Sequence, residues 1–208
     1  LFGRGRKRPF AKANCIVCTN VMCDANLLTF RALAELYHVP LFSIDVPLQQ
    51  TEDNVRYVAE QMRALAAFLE TCTDKRIEEE ALKERLRRSK RTLEKFREFQ
   101  RARADRYIPT DLVSPLYCGM TNNILLGTPQ EETYVDMLLR DVKSAPPKRG
   151  KRIYWMHTIP FWSDAVKKEL LFSENAQIVG CELSQACEPD FDPEKPYEPW
   201  RPGWFTIL

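Results

Sequence analysis

The chain has 208 residues, 44% of them hydrophobic and 29% charged, which is enough apolar material for a globular core and, by length, one domain with part of a second. Its formal net charge of +2 is close to balance and gives no reason to expect a nucleic-acid partner, and the Arg4 to Arg8 cluster reads as a solvated loop. No apolar run approaches membrane-spanning length, and seven cysteines, an odd number with no secretory leader, fit a reduced, cytoplasmic setting better than a disulfide framework.

The first predicted element is a short β-branched strand, Asn14 to Asn20, closed by polar residues. The chain then turns at Cys23-Asp24 into a helix from Ala25 to Tyr37, with Leu27, Leu28, Phe30, Leu33 and Leu36 close to helical spacing. A second buried-looking strand, Pro40 to Asp45, follows, so the order is β-α-β with a crossover of parallel-sheet length. Cys23 falls beyond the carboxyl end of the first strand and at the start of a helix, where ligands gather in open parallel sheets and where backbone N–H groups favour an anion. A cysteine in that position tends toward thiolate, equally suited to attack a substrate or to bind a metal.

Cys15, Cys18 and Cys23 stand in the order C-x2-C-x4-C, a spacing found in zinc and iron-sulfur knuckles. Residues three apart on a strand face opposite sides of the sheet, which favours buried, inert thiols at Cys15 and Cys18 and leaves Cys23 as the exception. Zinc on all three remains the alternative, and it predicts zinc in aerobically purified protein.

After Pro47 the pattern becomes helical. Thr51-Glu52-Asp53 supplies a cap and acidic first turn, and Val55, Val58, Met62, Leu65, Phe68 and Leu69 form one apolar stripe. Thr73-Asp74 is expected to cap a second, highly charged helix from about Lys75 to Arg106, with Ile77, Leu82, Leu86, Leu93, Phe96 and Phe99 as a narrow seam packing on the preceding helix as an antiparallel hairpin. Further helices are expected over residues 111 to 123 and, with Thr128-Pro129 at its start, to Ser144. Residues 146 to 150 read as a linker, followed by a strand at residues 152 to 156, a helix from Ser163 to Phe172 and a strand from Ala176 to Cys181.

The Cys23-Asp24 turn with its helix, the strand ending Asp45-Val46-Pro47, the helix carrying Tyr57 and Gln61, the charged helix and the Lys195-Pro196-Tyr197-Glu198 segment together resemble the 2-hydroxyacyl-CoA dehydratase family, which includes 2-hydroxyglutaryl-CoA dehydratase and benzoyl-CoA reductase subunits. The resemblance extends to about Glu198 and rests on the order and spacing of these motifs, none of them unique. It implies an α/β fold: a flavodoxin-like parallel-sheet lobe over residues 1 to 147 with a helical insertion at 51 to 145, then the start of a second α/β lobe over 148 to 208. It also implies a 4Fe-4S cluster between lobes, a second dehydratase subunit, an acyl-CoA substrate and a separate ATP-dependent iron-sulfur activator. That activator delivers one electron at low potential, so that a ketyl radical forms and water is eliminated from the 2-hydroxyacyl-CoA. The family ligand that carries over is Cys23, as metal and cofactor ligand.

The pattern also departs from the family. One cluster cysteine is expected upstream of Leu1 and another in the second lobe beyond Leu208. The surroundings of Cys181 and Cys187 do not resemble that late ligand and suit buried structural thiols, as do those of Cys72 and Cys118. Prolines and a glycine after Glu198 interrupt the helix the family would continue into, which suggests a truncated or frame-shifted member. A non-catalytic remnant or scaffold without a cluster is therefore the alternative function. His157 reads as a loop residue or an acyl-CoA or subunit contact, His38 as a helix cap, and no Gly-rich phosphate loop is visible, so ATP chemistry is left to a partner.

Overall fold

In the computed structural model the β-branched run after Asn14 forms strand β1, Ile16–Thr19, and the chain returns through helix α1, Asp24–Tyr37, to strand β2, Leu41–Ile44. The structure describes residues 13–20, 24–49, 51–109, 111–114, 118, 124–156, 159–182 and 191–197. Expectations for Arg4 to Arg8, Cys23, His157, Cys187, the segment after Tyr197 and most of the helix over 111 to 123 lie outside these residues, although Ser114 and Cys118 are helical.

β1 and β2 pair in parallel, with Ile16 opposite Leu41 and Cys18 opposite Ser43, as the length of the crossover requires. α1 turns Leu27, Phe30, Ala34 and Tyr37 inward and leaves Leu28 and Leu36 exposed, so the expected stripe is rotated by part of a turn. The cap at its end is made by backbone: His38 adopts φ 51°, and the N–H of Val39 donates to Ala34 O at 3.1 Å. Helix α2, Glu52–Thr73, starts where the sequence places it, with Thr51 Oγ1 accepting from Asn54 N at 3.2 Å. It buries Val58 and Ala59, and Phe68 packs on Phe42 of β2 with ring centroids 5.3 Å apart.

Thr73 and Asp74 end this helix instead of starting the next. Thr73 is the last residue of α2 and Asp74 takes the left-handed conformation, φ 53°, that closes a helix. Asp and Thr serve at both kinds of helix end, so residue type alone misassigned them.

Helix α3 runs over Glu79–Arg103 and its apolar seam is covered by helix α4, Pro129–Ser144. Phe96, Phe99, Val135 and Val142 are buried between them. The seam expected to pack on the preceding helix is covered by α4, which brings complementary charges of both signs: Lys95 Nζ reaches Asp136 at 2.7 Å and Glu98 meets Lys143 at 2.7 Å. Thr128 Oγ1 caps α4 by accepting from Glu131 N, with Pro129 in the first turn, as the sequence predicts. Gly127, at φ 82°, packs so closely that a Cβ there would lie 2.9 Å from Ser89 Oγ.

Strands β3, Lys151–Trp155, and β4, Ala176–Cys181, pair in parallel around helix α5, Asp164–Leu170. Leu112, Ile159, Ile178 and Cys181 form their core, with Val166 and Leu170 packed against it. The residues read as a linker are held by the end of α3: Tyr107 N donates to Pro146 O at 2.8 Å and Lys148 N to Asp105 O at 3.0 Å. Two units result, one built on residues up to Glu78 with Tyr197 and the other on Glu79–Pro196, each with its own parallel strand pair in an α/β fold.

Candidate functional site

In the first unit, both strands of the parallel pair end on polar residues, and four side chains converge there. Asn20 follows β1 and continues the ladder by donating its N–H to Ile44 O at 3.1 Å. Its side-chain oxygen accepts from Val46 N at 2.8 Å and its amide nitrogen donates to Asp45 Oδ1. Tyr57, from the second turn of α2, donates its hydroxyl to the other carboxylate oxygen at 3.0 Å. Gln61, one turn further on, accepts from Asp45 N at 2.7 Å and donates to Asp45 O at 2.7 Å.

The spacing explains the convergence. Tyr57 and Gln61 are four apart on one helix and therefore share a face, while Asp45 lies one residue past β2. The carboxylate of Asp45 receives a donor on each oxygen, an arrangement that positions rather than attacks. Its negative charge acts back on Tyr57: the hydrogen bond to Asp45, then partial desolvation and the charge itself, raise the phenol above its ordinary value.

The residues singled out from the sequence are distributed unequally. Asp45, Tyr57 and Gln61 come together, joined by Asn20, whose part was not legible because it depends on a contact made only after the strands pair. Cys23, between Asn20 and α1 in the chain, lies outside the described residues. Cys18 faces the interior at 5% exposure, as expected of a buried thiol, whereas Cys15, just ahead of β1, is only half-buried. Among the described residues no group of three or more His, Cys, Asp or Glu is placed to hold a metal ion.

In the second unit Cys181 is sealed in the core at 1% exposure, in keeping with a structural thiol. Burial raises the thiol of Cys118, against the opposing effects of Tyr134 and Arg103. Tyr197, part of the first unit, lies under the guanidinium of Arg63, 5.8 Å from its ring centroid. Among the described residues no helix is long and apolar enough to cross a membrane.

A search of curated proteins finds no match to this chain. The family model of the 2-hydroxyglutaryl-CoA dehydratase D-component matches residues 2–199, from ahead of β1 to beyond Tyr197, and so takes in both parallel strand pairs and the Asn20–Asp45–Tyr57–Gln61 cluster. With a match of that extent, the chain belongs to the 2-hydroxyglutaryl-CoA dehydratase D-component family.

Proposed function

We propose that this chain is a component of a 2-hydroxyacyl-CoA dehydratase, with Cys23 as one thiolate ligand of a 4Fe-4S cluster. In this reading β1, α1 and β2 begin a flavodoxin-like lobe, a second subunit completes the site, and an ATP-dependent activator supplies the electron. The observation that carries it is the family match over residues 2–199, joined to a polar cluster that fastens the carboxyl ends of both strands, the first of which leads in the chain to Cys23.

The thiols of this strand and turn suit a single ligand rather than a local three-cysteine site. Cys18 is turned into the core, and Cys15 precedes β1 whereas Cys23 follows it in the chain. Cys23 is left as the donor, and its position ahead of α1 favours the thiolate. The cluster, when bound, would supply one-electron transfer to the acyl-CoA. Asn20, Asp45 and Gln61 fix the carboxyl ends of both strands to each other and to α2.

Anaerobic expression followed by iron and sulfide analysis tests this reading. About four irons per assembled unit is the expected content, lost in Cys23→Ser. Protein without iron or sulfide, and unchanged by Cys23→Ser, would instead support the cluster-free scaffold.

A further inference from the structure

Helix α1 carries two apolar faces. The inner one, with Leu27, Phe30, Ala34 and Tyr37, is turned toward the strand pair. The outer one is formed by Ala25, Leu28, Ala32 and Leu36, whose intervals of three and four residues place them along one stripe. Leu28 and Leu36 are 67% and 71% exposed, and Ala25 and Ala32 are exposed beside them. A helix that had only to cover β1 and β2 would carry polar residues on that side.

Leu28, Ala32 and Leu36 stand at successive fourth positions and make a single ridge, with the smallest side chain in the middle. Ridges of this kind interlock between two crossing helices, and a small residue at the crossing lets the backbones approach. One edge of the ridge is charged. Arg31 and Glu35 are both exposed, one turn apart and on the same side of it. Their side chains make no ion pair among the described residues, and Arg followed by Glu is the less favourable order for pairing along a helix.

We propose that this stripe is an interface between two copies of the chain, α1 of one copy packing antiparallel on α1 of the other about a two-fold axis beside Ala32. The charges select a second copy as the occupant. In a two-fold contact the same patch serves on both sides, so it must complement itself. An axis perpendicular to two antiparallel helices sets each flank of one against the same flank of the other and reverses the order of residues along it. Arg31 of each copy then faces Glu35 of the other, Ala32 meets Ala32, and Leu28 meets Leu36. The ridge and its charged edge are satisfied together, with no residue left against its like charge. The interface belongs to the first unit and does not depend on the cluster proposed for Cys23.

Sedimentation velocity of the full chain at micromolar concentration tests this pairing, and the expected species has twice the mass of the chain. Ala32→Arg puts like charges against each other at the axis and should leave a monomer whose helical circular dichroism is unchanged. Arg31→Glu and Glu35→Arg should each weaken the dimer by roughly tenfold or more, and the double variant Arg31→Glu/Glu35→Arg should recover the original affinity. The recovery distinguishes a pairing across the axis from general damage to α1. A monomer at that concentration, a dimer that survives Ala32→Arg, or a double variant as weak as the single ones would overturn the proposal. So would a chain that stays monomeric by itself and shows hydrogen-exchange protection on the outer face of α1 only when a different subunit is added.

Discussion

The hydroxyl of Tyr57 donates to Asp45 Oδ2 at 3.0 Å while the opposite oxygen of the same carboxylate is held by Asn20, so one side chain joins the ends of both strands to α2. A phenol bound to a carboxylate ionises late, and Tyr57 is raised above its ordinary 10.0. Because the folded-state value exceeds the unfolded one, the contribution of this bond is fully present below pH ~10 and is lost as pH rises through the folded-state value. Tyrosinate absorbance should show a late-titrating component that disappears in Tyr57→Phe and in Asp45→Asn. An unchanged titration curve in both variants would count against the bond.

Gln61 holds the peptide of Asp45 from both sides, with 2.7 Å to its N–H and 2.7 Å to its carbonyl. Gln61→Ala removes both bonds and is expected to cost about 1–2 kcal/mol, with water replacing part of the loss. Urea unfolding of the full chain measures this, and Gln61→Glu should be worse than neutral because a carboxylate cannot donate to the carbonyl.

Glu131 is fully buried at the start of α4, with Oε2 accepting from Gly127 N at 3.1 Å and Oε1 without a hydrogen-bond partner. Burial pushes its carboxyl up to about 7, against the opposing effect of the Gly127 N–H. The unfolded chain therefore ionises first, and stability falls as pH rises from about 4.5 to about 7. The loss should be roughly 2 kcal/mol and should flatten in Glu131→Gln, measured as unfolding free energy against pH.

Gln177 on β4 is 5% exposed and fully engaged: its amide donates to Arg106 O at 2.8 Å and Arg103 O at 3.4 Å, and its oxygen accepts from Ile108 N at 3.0 Å. Gln177→Leu leaves these backbone groups unpaired and should destabilise the second unit by about 2–4 kcal/mol. Hydrogen exchange would locate the damage at Ile108, which loses its acceptor, before it reaches the core of α3 and α4.

Local chemistry was readable where it acts within a few residues. Thr51 and Thr128-Pro129 start helices because a hydroxyl and a fixed φ satisfy the first turn, and Ala176 to Cys181 is a strand with the bounds its apolar run suggests. The Asp45, Tyr57 and Gln61 positions were visible as motifs, but not their union through Asn20. Those contacts join residues brought together only by the parallel pairing of β1 with β2 and by α2 folding back on β2. For the same reason the narrow seam of α3 identified a buried face without identifying α4 as its cover.

The double bond of Gln61 to Asp45 also governs how far the sheet can grow. Ile44 turns its carbonyl toward Asn20, so the N–H and carbonyl of Asp45 point away from β1, to a side of β2 on which no strand pairs among the described residues. A side-chain amide already fills that hydrogen-bonding position. Any strand adding alongside β2, from this chain or another, must therefore stop at Ile44. The capped edge cannot act as a template for uncontrolled pairing at that end.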